Sequence, residues 1–563
     1  MSIGTCPHVG DDWFAVPTAM RLSNLVCGLL PTVEQAVASC SRACSITAFN
    51  DLLPANAAVL SAVSVPAGGT YGEGAADIAY PRNPTNLPEA CAVVVNVTTS
   101  PESSYRFGIF LPTEWNSRFL QVGNGGFSGG INWLDMGAGI RYGFAVASTD
   151  TGHNSTSGDV SWALNNPGRK ADFGYRAIHG STTLGKILTE SFYQKQIAYS
   201  YYSGASTGGR QGLREAQYCP ESFHGLLIGA PAWWTSHMQP WTTKIATYNL
   251  PKSNPKAIPP QLFAVIAAEV INQCDAVDGV SDGIVSAPDL CQLDLSVLHC
   301  DNERANASAC LSSLQLETVE KIYGDYYADG KFAFPGLEVG SEAQWAFLLG
   351  GDAPSTLGDG YSQYFLLDDP NWTWKDYTDD IVWKADAEDP GNCTADHFDR
   401  LKAVKQGNSK ILMYHGMADA LIAQRSSNVF YDRVAEAFGG QHELQSWFRF
   451  FLVPGMQHVT GTPVKAPWYF AGANSQGVLG TDVYSTPGFE DAQHDALLAL
   501  MDWVEKGTPV DQLIATTWIN QTVPSSGVLR QRPLCPYPQR ATYNGIGDVD
   551  IAESWSCKIW NKS

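Results

Sequence analysis

Nowhere does the chain run through the roughly 18 consecutive apolar residues that a membrane-spanning helix needs. That absence points to a protein that does not span a membrane. Basic residues are scarce: 35 Lys and Arg stand against 56 Asp and Glu, for a net charge of −21 at pH 7. No basic stripe interrupts the excess, and a field of that sign repels phosphates, which excludes nucleic acid and anionic lipid surfaces as partners. Internal repeats and low-complexity tracts are absent as well. Only 16% of residues are charged, whereas 44% are hydrophobic and 11% aromatic, so the 563 residues can bury a large core. An enzyme-sized globular protein is expected.

Thirteen cysteines and seven Asn-x-Ser/Thr sequons, at Asn96, Asn154, Asn306, Asn371, Asn392, Asn520 and Asn561, point together to the secretory pathway. Met1 to Ala19 has no apolar run, because Asp11, Asp12 and Pro17 interrupt it. A leader is read instead from Met20 to Ala38: Met20-Arg21 is the basic start, Leu22 to Val33 the apolar region, and Ala36-Val37-Ala38 the cleavage site. Cleavage there removes Cys6 and Cys27 and leaves an odd eleven cysteines.

The pattern along the chain is that of alternating strands and helices. Strands are expected at Ala92 to Val97, Tyr105 to Leu111, Arg118 to Val122, Phe144 to Ser148 and Ile197 to Ser203, with helical spacing between Ala171 and Leu188. Such alternation implies a mostly parallel sheet covered on both faces. From Pro231 to Ser409 the rhythm breaks into Pro-, Trp- and Asp-rich segments, read as an inserted domain. Lys410 to His415 and Trp447 to Val453 then resume as buried strands, and Gln493 to Lys506 as a surface helix stopped by Gly507. The tail from Arg530 reads as loop. The resulting divisions are 1–38 extension and leader, 39–230 first part of the main domain, 231–409 insertion, and 410–563 second part.

Gly204-Ala205-Ser206-Thr207-Gly208 fits G-x-S-x-G after an apolar strand and before the helical stretch Arg210 to Gln217. A serine on such a turn has its hydroxyl exposed at the crest of the sheet. A weak nucleophile needs a base, and the base an orienting carboxylate. Asp419 just past one late strand, and His458 just past the next, supply them in the order Ser, Asp, His. His415, His442 and His494 are read as structural or solvated. The turn-rich Gly123-Asn124-Gly125-Gly126 after an earlier strand offers an oxyanion donor, so the N–H groups of Thr207 and Gly126 are chosen, with Gly125 close behind.

These residues resemble the tannase and feruloyl esterase family. The resemblance rests on Trp115-Asn116-Ser117-Arg118-Phe119-Leu120, Ser148-Thr149-Asp150-Thr151-Gly152-His153, Ser206-Thr207-Gly208-Gly209-Arg210, Tyr414-His415-Gly416 and Arg532-Pro533-Leu534-Cys535-Pro536-Tyr537-Pro538, and covers about Cys44 to Cys557. It implies an α/β-hydrolase fold with a large lid at 231–409, and cleavage of esters of hydroxycinnamic, gallic or related aromatic acids, small or linked to polysaccharide. It also implies a structural Ca²⁺ held by side chains of Asp275, Asp278 and Asp282 and the backbone carbonyls of Val280 and Ile284. The oxygen-rich Cys274 to Ile284 segment suits a hard cation without the spacing of an EF-hand. Family-like disulfides are Cys44–Cys91, Cys274–Cys291, Cys300–Cys310 and Cys535–Cys557, which leaves Cys40, Cys219 and Cys393 unassigned.

One departure stands out. The family carries bridged cysteines just before the nucleophile and just after the catalytic histidine, where this chain has Ala205 and Val459. The expectation is a secreted serine carboxylic ester hydrolase, with a homodimer left open. Two alternatives stay in play: an esterase or acyltransferase of fungal secondary metabolism, and a binding protein that keeps the fold without catalysis. Trp233, Trp234, Trp241, Tyr361, Tyr364 and Phe365 are weighed as an aromatic acyl pocket against membership of the core.

Overall fold

A computed structural model describes residues 43–302, 309–472, 477–480 and 482–560. The leader Met20 to Ala38, with Cys6, Cys27 and Cys40 and the sequons at Asn306 and Asn561, lies outside these residues.

Nine strands form the central sheet: β1 (Ala57–Val65), β2 (Ala90–Ser100), β3 (Ser103–Pro112), β4 (Arg118–Val122), β5 (Ala145–Thr149), β6 (Tyr199–Ala205), β7 (Gly225–Gly229), β10 (Lys410–Gly416) and β11 (Phe448–Val453). Their spatial order is β1-β2-β3-β5-β4-β6-β7-β10-β11. The β1-β2-β3 meander is antiparallel and joins β5 antiparallel. From β5 onward every pairing is parallel. Strands buried on both faces read as unbroken apolar runs, because successive side chains enter opposite layers. Leu226 and Ile228, Ile411 and Met413, and Phe448 and Phe450 pack in one apolar cluster. Leu227, Leu412 and Phe451 pack in the other.

Between β7 and β10 the chain adds no strand to this sheet. Residues 231–409 instead form helices, among them Thr235–Tyr248, Pro260–Cys274, Ser313–Tyr323 and Asp380–Glu388, and one small hairpin of β8 (Tyr326–Ala328) and β9 (Lys331–Phe334). Trp233, Trp241, Trp345, Tyr361 and Phe365 are buried there within the larger apolar cluster. Their aromatic density is core packing.

The C-terminal region corrects the reading of the tail as loop. β12 (Leu513–Asn520) pairs with β13 (Val523–Leu534), and β14 (Gln539–Tyr543) with β15 (Trp555–Ile559). Pro524, Gly527 and Pro533 hide β13 in the sequence. A two-stranded ribbon also leaves much of β13 facing water, so no apolar alternation marks it.

Disulfides join Cys44 to Cys91, Cys274 to Cys291, Cys300 to Cys310 and Cys535 to Cys557. Cys219 is disulfide-bonded too. Cys393 is a buried free thiol, and its burial pushes the thiol up to about 12, which keeps it protonated and unreactive.

Candidate active site

Four strands of the parallel part of the sheet deliver the site residues from their C-terminal ends, the edge at which open α/β sheets place ligands. The loop Gly123 to Gly126 follows β4, Ser206 follows β6, Asp419 follows β10 and His458 follows β11. Chain order therefore becomes spatial convergence.

Ser206 sits between β6 and the helix Thr207–Tyr218 with φ 60° and ψ −123°, a conformation that non-glycine residues rarely adopt. Hydrogen bonds hold it there: Ser206 N donates to Gly229 O at 2.9 Å, and Ala232 N donates to Ser206 O at 3.0 Å. The strand-to-helix reversal leaves no room at Gly204, where a Cβ would lie 2.7 Å from the Gly208 carbonyl oxygen. Strain concentrated on a nucleophile is a feature of such turns.

Asp419 is fully buried, yet all of its acceptor capacity is used. Its Oδ1 accepts from the N–H groups of Leu421 and Ile422 at 2.8 and 3.0 Å. Its Oδ2 accepts from His458 Nδ1 at 2.7 Å and from His415 Nε2 at 3.0 Å. Burial alone would raise the carboxyl, but the attraction of His458 and the hydrogen bonds from both histidines outweigh it and hold the group well below the usual carboxylate range. An ionised Asp419 fixes the proton of His458 on Nδ1, which leaves Nε2 free to accept. Among the described residues no hydrogen bond joins Ser206 Oγ to His458, and catalytic contacts of this type commonly tighten only around substrate.

The glycine loop is held from several sides. Asn124 Nδ2 donates to Gly130 O and Thr149 O at 3.1 and 2.8 Å, and Asn132 Nδ2 donates to Gly123 O at 3.0 Å. Gly125 N–H is already committed to Tyr80 Oη at 3.1 Å, which removes it as an oxyanion donor. Thr207 N–H and Gly126 N–H make no hydrogen bond to the described residues, and Gly126 holds φ +53°. Two unspent backbone donors thus border the serine.

Ser206 and His458 line one cleft of about 500 Å³, together with Tyr80, Asp135, Phe347, Leu357, Leu421, Ala205 and Val459. Ala205 and Val459 therefore face the same space. Val459 has φ +66°, an unusual backbone for a β-branched residue, directly after the histidine. None of Trp233, Trp234, Trp241, Tyr361, Tyr364 and Phe365 lines the cleft. The segment between β7 and β10 contributes Phe347 instead, which is 53% exposed, and steadies the Asp419 loop through Gln344, whose Oε1 accepts from Ala420 N at 2.9 Å.

A match to the family described as tannase and feruloyl esterase spans residues 91–359 and 395–558, and so contains Ser206, Asp419, His458 and the glycine loop after β4. The chain belongs to that family. It is 34% identical over 474 residues to a probable feruloyl esterase B-1 of Neosartorya fischeri, covering 83% of this chain and 86% of the relative. A probable feruloyl esterase B-2 of Aspergillus terreus is 33% identical over 473 residues, covering 84% and 86%. The crystal structure of feruloyl esterase B from Aspergillus oryzae superposes with a TM-score of 0.83 at 31% identity over 91% of this chain and all of that one. Tannin acyl hydrolase from Aspergillus niger shares the fold, with a TM-score of 0.71 at 21% identity, covering 92% and 95%. This family member has the α/β-hydrolase fold and is a carboxylic ester hydrolase.

Three residues of the site are not legible as such in the sequence. His415 was read as structural or solvated; it is buried and bonded to Asp419, with its Nδ1 2.7 Å from Ser427 Oγ. The Tyr414-His415-Gly416 motif was a signal for it, although not for its role. Asp135 and its neighbour Tyr80 carry no motif at all.

The acidic loop is a compact oxygen site. Asp275 Oδ1 accepts from the N–H groups of Asp282, Gly283 and Ile284 at 3.1, 2.9 and 3.1 Å, which wraps the backbone around the carboxylates. Arg532, from the Arg532-Pro533-Leu534-Cys535 motif, donates through Nη1 to Asp282 Oδ2 at 2.7 Å. Among the described residues Asp278 Oδ2 is buried without a hydrogen-bond partner, and burial raises its carboxyl above the ordinary value. An orphaned buried carboxylate oxygen beside two further carboxylates fits a hard cation.

Proposed function

We propose that this chain cleaves esters of aromatic carboxylic acids through an acyl-enzyme formed on Ser206. The observation that carries the reading is the shared cleft: Ser206 on its strained turn and His458, oriented by Asp419, face a space bordered by the exposed ring of Phe347. The names of the relatives, feruloyl esterases, support the aromatic acid class. His458 Nε2 takes the Ser206 Oγ proton as Oγ bonds to the ester carbonyl carbon, and the N–H groups of Thr207 and Gly126 hold the resulting oxyanion. Collapse breaks the carbon–oxygen bond to the alcohol, which leaves with the proton from His458. Water then attacks the acyl-serine, His458 takes and returns its proton, and the free acid departs.

The loop of Asp275, Asp278 and Asp282, with the carbonyls of Val280 and Ile284, is assigned to a Ca²⁺ ion. When bound, it neutralises the clustered carboxylates and ties the lid to the C-terminal region that carries Arg532. Its role is structural, since its residues belong to the lid loop and not to the catalytic cleft. Secretion accords with the disulfides and with exposed sequons at Asn371 and Asn520. No helix among the described residues is long and apolar enough to cross a membrane.

The test is a panel of feruloyl, galloyl and aliphatic esters with the protein and with Ser206→Ala. Turnover of an aromatic acid ester that falls by several orders of magnitude in the variant, together with loss of fluorophosphonate labelling, is expected. Equal labelling of both proteins would remove Ser206 as nucleophile.

A further inference from the structure

Asp135 is the one carboxyl lining the catalytic cleft among the described residues, and no Lys or Arg lines it. An uncompensated acid at this position is costly to maintain unless something in the cleft answers it. Its position is closely fixed. Asn132, before the helix Trp133–Ile140, accepts from Asp135 N through its own Oδ1 at 3.2 Å. The same Asn132 donates through Nδ2 to Asp135 Oδ2 at 2.9 Å and to Gly123 O at 3.0 Å. One amide therefore sets the carboxyl and the oxyanion loop in register.

Helix capping does not account for Asp135. Asn132 already performs that task, as its side chain accepts from the first turn. Asp135 Oδ1 receives no hydrogen bond from the described residues, so it is available to a ligand. Tyr80 beside it has its Oη engaged by Gly125 N–H at 3.1 Å. Desolvation pushes the Asp135 carboxyl up to about 7, opposed only by the hydrogen bond from Asn132, in keeping with a site that lacks any protein cation.

We infer that Asp135 reads a free phenolic hydroxyl on the acyl group, so that the cleft selects hydroxylated aromatic acids over their fully O-methylated counterparts. This rests on the aromatic-ester reading above and narrows it. A phenol is the right partner on three grounds. It is a strong O–H donor, it is uncharged at neutral pH and so is not repelled, and it sits at the far end of a flat ring that Phe347 can stack against. A methoxy group brings no proton, and it leaves Asp135 desolvated and unpaired. Sites built to bond a hydroxyl discriminate against the analogue that lacks it through that unpaired group.

The test compares kcat/KM for methyl 4-hydroxy-3-methoxycinnamate and methyl 3,4-dimethoxycinnamate in the unaltered protein, in Asp135→Asn and in Asp135→Leu. The unaltered protein should favour the free phenol, and the ratio should fall about 10-fold or more in Asp135→Leu, with Asp135→Asn falling in the same direction. Both esters are turned over by the same folded molecules, so any loss of folded protein cancels in the ratio. A ratio unchanged within about twofold in both variants overturns the assignment, as does an unaltered protein that prefers the dimethoxy ester. An unaltered protein that cleaves aliphatic esters but neither cinnamate ends the aromatic-ester reading, and this inference with it.

Discussion

His415 Nε2 and His458 Nδ1 meet on one oxygen, Oδ2 of Asp419, at 3.0 and 2.7 Å. His415 Nε2 also lies 3.2 Å from Ile422 O, so both of its neighbours there are acceptors and Nε2 must carry the proton. The carboxylate is thereby shared between a histidine that lines the cleft and one that does not.

His415→Ala deletes one donor to a buried carboxylate, a hydrogen bond worth about 1.5 to 3 kcal/mol. We expect kcat to fall by about 10- to 100-fold with KM little changed, because Asp419 loses an orienting partner while the residues that line the cleft are untouched. A change confined to KM would argue against this positioning role.

The Asp135 carboxyl is raised, so its folded value lies above the roughly 3.9 of an unfolded aspartate. Ionisation then opposes folding: Asp135 lowers stability at pH above 7, and that loss fades as pH falls towards 4. Asp135→Asn should accordingly raise the melting temperature at pH 8 and have little effect at pH 4. Equal shifts at the two pH values would show that the carboxyl is not perturbed by its site.

Prolonged EDTA treatment should lower the melting temperature more than it lowers turnover at 25 °C. Asp278→Asn should reproduce the lowered melting temperature and make it insensitive to added Ca²⁺, because the orphaned Asp278 Oδ2 is the oxygen with most to gain from the ion. An immediate, reversible loss of turnover without destabilisation would move the ion into the chemistry.

Ala205 and Val459 flank the serine and the histidine and line the same cleft. Replacing both by cysteine should form a bridge under oxidising conditions and raise the melting temperature, since it closes a long loop of the unfolded chain. Neither single cysteine should do so. A double variant that is quantitatively oxidised between these positions yet no more stable than the parent would refute the expectation.

The sequence alone determined the chemistry that depends on local backbone. Ser206 between an apolar strand and a helix, Asp419 and His458 each just past a buried strand, and the glycines after β4 are readable because a parallel sheet sends every strand end to the same edge. β13 escaped because a half-solvated ribbon has no apolar period. Tertiary structure decided the rest. Only folding shows that Trp233, Trp241 and Phe365 are core while Phe347 faces the cleft, since an aromatic residue looks the same in either place. Only the pairing of β10 with β11 brings His415 and His458, 43 positions apart in the chain, to one oxygen. Asp135 becomes a feature of the cleft only when Asn132 ties its helix to the loop after β4, because the field at a carboxyl is set by which charges surround it in space.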